Sequence, residues 1–263
     1  MTTTTYQPRL FVGSSQEGKD VAHAVRQQLK DVAEVTLWSD GPFGLSSGTL
    51  ESLVAALPQF DFAVLVVTAD DLTKSRNKEQ GSPRDNVVFE TGLFMGRLGR
   101  SRTFLVYDST ARPKLPSDLA GITLAQFLRR SDGSPRAAVG EATDDVRDQI
   151  KMLGPFLTLD SPSAGDLVGR HVRARGRCST SHTSVSVVIH PVGTTGYWLR
   201  RAAFSAPGEW QADLTVGMAS GSSGKEYEVR AFLESEPSDP ARNPYSWWPS
   251  AIASTPAIRI RRA

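Results

Sequence analysis

One carboxylate of this chain lies among apolar side chains, where a charged group is energetically unfavourable. Glu90 stands within residues 87–98, which carry apolar side chains around most of the circumference of a helix. An unpaired charge buried among such side chains costs several kcal/mol, so the carboxylate must be paired, protonated or used in chemistry. Glu90 is therefore either the ion-pair partner of Arg84 or Arg97, or a reactive carboxylate at the floor of a pocket.

The segment around Glu90 has the signals of a helix start. Ser82 can cap free backbone N–H groups, and Pro83 suits the first helical position. Asn86 comes four residues before Glu90 and Arg97 comes seven after it, so both share its side of the helix. The pattern predicts a largely buried helix with these polar side chains along one side.

Short apolar runs alternate with helical patterns through the first half of the chain, and they predict five strands. The runs are residues 9–13, 34–38, 60–68, 103–107 and 121–127. The third run is apolar on both faces and rich in β-branched residues, as the central strand of a parallel sheet is. This order predicts an α/β domain with an open, doubly wound, flavodoxin-like parallel sheet. An amphipathic helix over residues 137–153 would close the domain.

The carboxyl ends of these strands should meet at one edge of the sheet, where ligands of such folds bind. That edge would gather the turn 13–18, the loop 38–47 and the start of the Glu90 helix. The glycines of the turn are too far apart for a dinucleotide fingerprint, and a phosphoreceiver would need acidic residues there. Asp70 and Asp71 are interpreted as turn and cap residues, so no metal site is predicted.

Several separated blocks of the first half resemble one family, in the same order along the chain. They are Phe11-Val12-Gly13-Ser14-Ser15, Trp38 with Asp40, Gly41 and Phe43, Leu45-Ser46-Ser47 with Thr49 and Leu50, and residues 83–100 and 115–122. Residues 8 to 130 thereby resemble the TIR-like domain of bacterial antiphage effectors, found in the CBASS and Pycsar defence systems. The resemblance implies a flavodoxin-like fold that hydrolyses NAD+ to nicotinamide and linear or cyclic ADP-ribose, with NAD+ as substrate and no separate cofactor. It also implies activation by self-assembly into a homo-oligomer or filament.

The same resemblance assigns roles to individual positions. The catalytic glutamate falls on Glu90, and the pocket is lined by the first-strand turn and by the loop 38–47. The substrate-binding residues expected on this basis are Gly13, Ser14, Ser15, Trp38, Asp40, Phe43, Leu45, Ser46, Arg84, Asn86 and Arg97.

Some of these roles have alternatives. Trp38 or Phe43 could stack on nicotinamide or adenine, although Trp38 could equally pack in the core. The backbone amides of the first-strand turn, with Arg84 or Arg97, could face the diphosphate. Arg97 could instead be the structural partner of Glu90.

The composition limits the class of protein. Hydrophobic residues make up 39% and charged residues 22%, as in a soluble globular protein. The single Cys178 excludes an internal disulfide and a cysteine-rich metal site. No run approaches the roughly 18 to 20 apolar residues of a membrane span, and residues 1–5 lack the pattern of a secretory signal. The net charge of +2 is too small to indicate nucleic-acid binding. We therefore expect a cytoplasmic protein without membrane or nucleic-acid partners.

The second half of the chain has a different residue pattern from the first. We predict a TIR-like domain over residues 8–154, a linker over 155–166 and a β-rich domain over 167–263. Short alternating runs separated by Gly, Pro and Ser indicate an antiparallel β-sandwich of immunoglobulin-like architecture, which would sense, recognise or scaffold. It does not resemble the cyclic-nucleotide sensors that these effectors carry. Tyr245, Trp247 and Trp248 stand between two prolines, as in a plug over the sandwich or an exposed recognition surface.

Three hypotheses follow for function. The first is an NAD+-consuming antiphage effector, activated by self-assembly and by a nucleotide, a phage-derived ligand or a partner protein. The second is a nucleoside deoxyribosyltransferase-like enzyme on the same fold, with Glu90 as a covalent nucleophile. The third is a non-enzymatic TIR module that signals by assembly, in which Glu90 is structural. Nicotinamide release from NAD+ distinguishes the first from the second, and a Glu90→Gln variant distinguishes the enzyme from the module.

Overall fold

The structure is a computed structural model that divides the chain into two compact units, Met1–Gly154 and Pro155–Ala263. The residues that it describes are 7–40, 49–68, 71–75, 78–82, 85–111, 115–116, 119, 123–129, 133–182, 184–234 and 237–263.

The first unit is built on a five-stranded parallel sheet. Its strands and those of a separate hairpin are β1 (Arg9–Ser14), β2 (Glu34–Leu37), β3 (Phe62–Val67), β4 (Asp71–Ser75), β5 (Lys78–Ser82), β6 (Thr103–Asp108) and β7 (Thr123–Phe127). The order in the sheet is β2-β1-β3-β6-β7, and every neighbouring pair is parallel. Every residue of β3 and β6 is buried, as expected of strands covered on both faces.

Among the described residues, the α-helices of this unit are α1 (Lys19–Leu29), α2 (Thr49–Ala56), α3 (Asp85–Leu98), α4 (Pro135–Ala138) and α5 (Gly140–Leu153). Successive side chains of a strand point to opposite faces. On one face, Leu10 and Val12 of β1 share a core with apolar residues of α1 and α5. On the other face, Phe11 stacks on Phe94 of α3 with ring centroids 4.5 Å apart. Helices therefore cover both faces, which confirms the predicted α/β architecture.

The start of the Glu90 helix differs from the prediction. Helix α3 begins at Asp85, whereas Ser82 ends strand β5 and pairs with Asp71 in the antiparallel hairpin β4–β5. Pro83 and Asp70 lie outside the described residues. The hairpin was not predicted because its residues are polar and carry no apolar alternation from which a strand can be recognised.

Helix α3 is also less buried than predicted. Val87, Thr91, Phe94 and Leu98 form its buried stripe, three or four residues apart. Phe89 points away from that stripe and is 52% exposed.

Arg102 stabilises the end of the first unit. Its guanidinium donates hydrogen bonds to the carbonyl oxygens of Leu153 at 3.0 Å and Gly154 at 2.7 Å. These carbonyls belong to the last turn of α5 and its cap, which have no partner within the helix. The same guanidinium lies 4.7 Å from the centre of the Phe62 ring. The side chain therefore joins the C-terminus of α5 to the start of β3.

The second unit consists of β-sheets. Its strands are β8 (Leu167–Val168), β9 (His171–Arg177), β10 (Val185–Pro191), β11 (Trp198–Arg201), β12 (Ala203–Ala206), β13 (Glu209–Thr215), β14 (Glu226–Leu233), β15 (Ala253–Ser254) and β16 (Ile258–Arg262). One sheet has the order β11-β10-β14-β16-β8, with β15 beside β14, and the other has the order β12-β13-β9. All pairs are antiparallel except β16–β8. The antiparallel sheets confirm the β-rich second half, and the immunoglobulin-like arrangement stays a prediction.

Residues from both sheets of this unit form one core. It contains Trp210 and Leu214 of β13, Val187 of β10 and Val229 of β14, all at most 1% exposed. The segment 155–166, for which the sequence predicts a linker, is hydrogen-bonded to β9 in the structure. The amides of Thr158 and Asp160 donate to carbonyl oxygens of that strand.

The aromatic loop 243–249 lies against the six-stranded sheet through one of its tryptophans. The ring of Trp248 is 4.8 Å from Tyr197 and 5.7 Å from Phe232, and the Arg230 guanidinium lies 5.4 Å from it. Trp247 is 68% exposed. One indole therefore packs as a plug would, and its neighbour points to solvent.

Within the described part of the chain, every helix is too short or too polar to span a lipid bilayer.

Candidate active site

A cavity of about 400 Å³ opens at the carboxyl edge of the parallel sheet, beside the end of β1 and the start of α3. The described residues that line it are Ser14, Ser15, Gln16, Trp38, Leu50, Leu53, Asn86, Val87, Phe89 and Glu90. This is the edge at which the topology of a doubly wound sheet leads us to expect a ligand. Its size lies within the range of small-molecule sites, roughly 300 to 1,000 Å³.

Glu90 is the one charged side chain among these described lining residues. It is partly buried on α3, and within the described part of the chain it makes no ion pair or hydrogen bond. Burial removes water from its carboxyl group and raises the pKa from the ordinary 4.5 to about 7. The side chain is therefore a carboxyl group that changes its charge near neutral pH, at the wall of an open cavity. Among the described residues the structure shows no ion pair between Glu90 and Arg97, and Arg84, the other partner considered from the sequence, lies outside them.

Gly13 makes room for this carboxyl group. A β-carbon built on Gly13 would lie 3.1 Å from Oε2 of Glu90, and 2.8 Å from side-chain carbons of both Phe11 and Leu65. These distances are shorter than normal carbon contacts. Any larger residue at this position would have to displace the carboxyl group or the core beneath it.

The turn after β1 is fixed by the hydroxyl of Ser15. Its Oγ lies 2.9 Å from Oγ1 of Thr68, the residue after β3, and accepts a hydrogen bond from the amide of Gly18 at 3.2 Å. Ser15 therefore ties the ends of two neighbouring strands together. Ser14 precedes it at the end of β1 and lines the cavity with its side chain partly exposed.

Trp38 forms one wall of the cavity. It begins a short 3₁₀ helix (Trp38–Asp40) directly after β2, and its ring packs edge-on against Phe11 at 6.4 Å between centroids. The side chain is neither fully buried nor fully exposed. It therefore contributes one edge to the core and offers the rest of its surface to the cavity.

Apolar side chains at the cavity were not predicted as site residues. Leu50 of α2 and Phe89 of α3 line it while remaining 44% and 52% exposed. In the sequence both belong to helical apolar patterns, which are normally interpreted as core. A large apolar residue that a helix leaves exposed at the carboxyl edge is a signal that only the three-dimensional arrangement reveals.

The predicted site residues are only partly brought together. Gly13, Ser14, Ser15, Trp38, Asn86 and Glu90 lie at or beside the cavity. Arg97 is not among the described lining residues, and it stands about 10 Å further along the axis of α3 than Glu90. Phe43, Leu45, Ser46 and Arg84, and the side chain of Asp40, lie outside the described residues.

The chemistry available here follows from the kinds of side chain present. Where the structure describes the chain, no three His, Cys, Asp or Glu side chains converge as metal ligands would. The cavity instead offers one carboxylate, an indole and exposed apolar side chains. A single buried carboxylate can stabilise a developing positive charge on a bound molecule, and aromatic walls can stack on planar rings.

The parallel sheet and the cavity at its carboxyl edge define the first unit as a doubly wound α/β domain with a candidate ligand site. Residues 9–129 match the family described as the CAP12/Pycsar effector protein, TIR domain. This part of the chain is therefore similar to the TIR domain of bacterial antiphage effectors.

Three relatives illustrate the match. The chain is 48% identical over 119 residues to CD-NTase-associated protein 12 of Flavobacterium daejeonense, which covers 45% of this chain and 38% of that protein. It is 41% identical over 147 residues to the Pycsar effector protein BcPycTIR of Burkholderia cepacia, covering 56% and 48%. It is 38% identical over 148 residues to the Pycsar effector protein PaPycTIR of Pseudomonas aeruginosa, covering 56% and 48%. The matched region thus spans less than half the length of each of these relatives.

Proposed function

We propose that the first unit hydrolyses NAD+ at the bond between nicotinamide and ribose, as an effector of bacterial antiphage defence in the cytoplasm. The observation that supports the proposal is the environment of the Glu90 carboxyl group. Its carboxyl group has no partner among the described residues, has a pKa of about 7 because of burial, and faces a cavity with aromatic and apolar walls. A merely structural carboxylate in this position would be expected to have an ion-pair partner.

The chemistry needs only one carboxylate. Ordinary glycosides require a general acid for the leaving group and a second carboxyl group at the sugar. In NAD+ the bond from the ribose carbon to nitrogen breaks with its electron pair moving onto the pyridinium, which leaves as neutral nicotinamide. Water then adds its oxygen to the ribose carbon, and its proton is released to solvent. The products are nicotinamide, ADP-ribose and one proton.

Glu90 would stabilise the cationic sugar that forms during this step. In a cavity with little water, a fixed negative charge near the ribose lowers the energy of an oxocarbenium-like transition state more than that of the substrate. The pKa of about 7 leaves a substantial fraction of carboxylate at neutral pH. The positive pyridinium of the bound substrate would increase that fraction further.

The regulation that we propose rests on the relatives. Proteins named as CD-NTase-associated and as Pycsar effectors support an activating cyclic nucleotide. Self-assembly of TIR domains as the active state is what the family resemblance of the sequence implies. The second unit would then sense, recognise or scaffold, with the immunoglobulin-like sandwich predicted from its sequence. Activation assays would also reveal whether a phage-derived ligand or a partner protein activates the enzyme in place of the nucleotide.

The test is to incubate the purified full chain with NAD+ at low and high protein concentration and to measure nicotinamide by chromatography. We expect nicotinamide release whose rate per molecule increases with concentration. Glu90→Gln should lower kcat by about 10²-fold or more. Glu141→Gln, which changes an exposed carboxylate in the first turn of α5, is the matched control and should keep the wild-type rate.

Other results would contradict the proposal. Base exchange on a deoxynucleoside without nicotinamide release would indicate the deoxyribosyltransferase-like enzyme. Absence of turnover under all conditions, with assembly unaffected by Glu90→Gln, would indicate the non-enzymatic module.

A further inference from the structure

Two hydroxyl groups meet where the neighbouring strands β1 and β3 end. The backbone pairing of these strands ends with Ser14 and Val66. Just beyond that pair, Oγ of Ser15 lies 2.9 Å from Oγ1 of Thr68, a distance at which one hydroxyl donates to the other. Ser15 is buried and Thr68 is half-buried. A hydrogen bond between side chains therefore continues the pairing of the two strands past their last backbone contact.

The turn 14–18 is folded tightly around this contact. The hydroxyl of Ser15 also accepts a hydrogen bond from the amide of Gly18 at 3.2 Å. A β-carbon on Gly18 would lie 3.2 Å from a side-chain carbon of Val66 and 3.3 Å from that of Ser14, closer than normal carbon contacts. A serine hydroxyl can donate one hydrogen bond and accept about two. The bonds to Thr68 and to the turn therefore use most of the hydrogen-bonding capacity of Ser15.

The residues on either side of Ser15 belong to the wall of the Glu90 cavity. Ser14 and Gln16 both line the cavity, the first partly exposed and the second exposed. Because Ser15 is fixed between them, its hydrogen bonds restrict the backbone that directs both side chains. The position of this wall relative to Glu90 thus depends on the contact between Ser15 and Thr68.

We infer that Thr68 is a positioning residue of the Glu90 cavity, which acts through Ser15 to hold the turn after β1 in place for the substrate. This inference rests on the proposed function. Thr68 is not among the described residues that line the cavity, so its effect on the reaction would be indirect. Loss of its hydroxyl should keep the fold, because the backbone pairing of β1 with β3 does not involve it. It would release the turn, and a misplacement of about 1 Å near the substrate can lower the rate by about 10²-fold.

The experiment measures nicotinamide release from NAD+ by Thr68→Val, which removes the hydroxyl and nearly keeps the shape of the side chain. We expect kcat/KM to fall about tenfold, with an unchanged circular dichroism spectrum. Thr68→Ser restores the hydroxyl and should recover most of the wild-type value. Thr110→Val is the matched control, because it removes a hydroxyl that donates to Asp108 at 2.7 Å just after β6, and it should keep the wild-type kcat/KM. A merely structural role of Thr68 would lower the stability and leave kcat/KM of the folded enzyme unchanged.

Hydrogen exchange of the free protein separates failure of the inference from failure of the proposed function. The amide of Gly18 donates to the carbonyl and hydroxyl oxygens of Ser15, so residues 13–18 should exchange several-fold faster in Thr68→Val, and Thr68→Ser should restore their protection. If the wild-type protein releases no nicotinamide, the proposed function fails, while faster exchange still supports the role of Thr68 in holding the turn. Unchanged exchange of these residues would overturn the inference. Faster exchange with an unchanged kcat/KM in an active enzyme would overturn it as well.

Discussion

The carboxyl group of Glu90 lies beside the space that a side chain on Gly13 would occupy. A β-carbon on Gly13 would approach Oε2 of Glu90 to 3.1 Å and the side chains of Phe11 and Leu65 to 2.8 Å. The residue at position 13 thus limits how close strand β1 can come to the carboxylate on α3. In this fold, the position of the proposed catalytic group depends on the absence of a side chain on the strand beneath it.

Gly13→Ala is therefore expected to lower activity while the fold is kept. The added methyl group displaces the carboxylate or overpacks the core, which costs about 1 to 3 kcal/mol of stability. We expect kcat for nicotinamide release to fall at least about tenfold, since small displacements of a charge near the reacting atoms are costly. Circular dichroism would check that the fold is retained.

Gly92→Ala is the matched control for this variant. Gly92 lies on the same helix as Glu90, and a β-carbon there would meet nothing within 4 Å. Alanine should stabilise the middle of the helix by about 0.5 to 1 kcal/mol and keep activity. Equal activity losses in the two variants would contradict the steric explanation.

The activity should depend on pH through Glu90. Because burial raises its pKa to about 7, the carboxylate is depleted below that pH. Only the ionised form stabilises a sugar cation, so kcat/KM for NAD+ should rise with pH to a plateau, with an inflection near 7. The positive charge of the bound substrate favours the carboxylate, so the inflection in kcat should lie at lower pH. A flat profile from pH 5 to pH 8 would show that another group limits the reaction.

Burial of Glu90 should also reduce stability at high pH. A folded-state pKa above the unfolded value of 4.5 means that the folded protein prefers the protonated form. The resulting stabilisation is complete below about pH 4.5 and is lost as the pH rises through about 7. Glu90→Gln cannot ionise, so its stability relative to wild type should be higher at pH 8 than at pH 5, by about 1 to 3 kcal/mol. Urea unfolding of the first unit at both pH values tests this, and an equal difference at pH 5 and pH 8 would contradict it.

The two adjacent tryptophans of the second unit should differ in their contribution to stability. Trp248 packs on Tyr197, Phe232 and Arg230, so Trp248→Ala should lower the free energy of unfolding of that unit by about 2 to 4 kcal/mol. Trp247 is 68% exposed, and Trp247→Ala should change it by less than about 0.5 kcal/mol. Thermal unfolding followed by circular dichroism distinguishes the two. Similar losses in both variants would mean that the loop packs as a whole.

The sheet of the first unit could be predicted because its strands bury both faces. The strand β3 is a continuous apolar run, which identifies a central parallel strand. Glu90 could be singled out for a related reason, since a carboxylate within an apolar helix must be paired, protonated or used in chemistry. In both cases the signal lies in the residues themselves and needs no knowledge of distant neighbours. The catalytic role of Glu90 is implied only by the family resemblance.

Other features depend on contacts that a sequence pattern does not contain. The exposure of Phe89 and Leu50 at the cavity depends on which neighbours their helices meet, and periodicity alone assigns both residues to a core. The contrast between Trp247 and Trp248 has the same origin, since a loop has no periodicity to tell which ring faces the sheet.

Asn243 has a consequence for the free edge of the six-stranded sheet. Its side-chain amide accepts a hydrogen bond from the amide of Leu199 at 2.8 Å and donates one to the carbonyl of the same residue at 2.9 Å. Two residues before Leu199, the backbone amide and carbonyl of Tyr197 pair with those of Tyr245. A strand from another molecule could not pair with the backbone of Leu199 in β11 or of Tyr197 before it, because the backbone groups of both residues are already hydrogen-bonded. A carboxamide and the backbone of the loop thus cover part of this border, which leaves fewer backbone groups open to edge-to-edge aggregation.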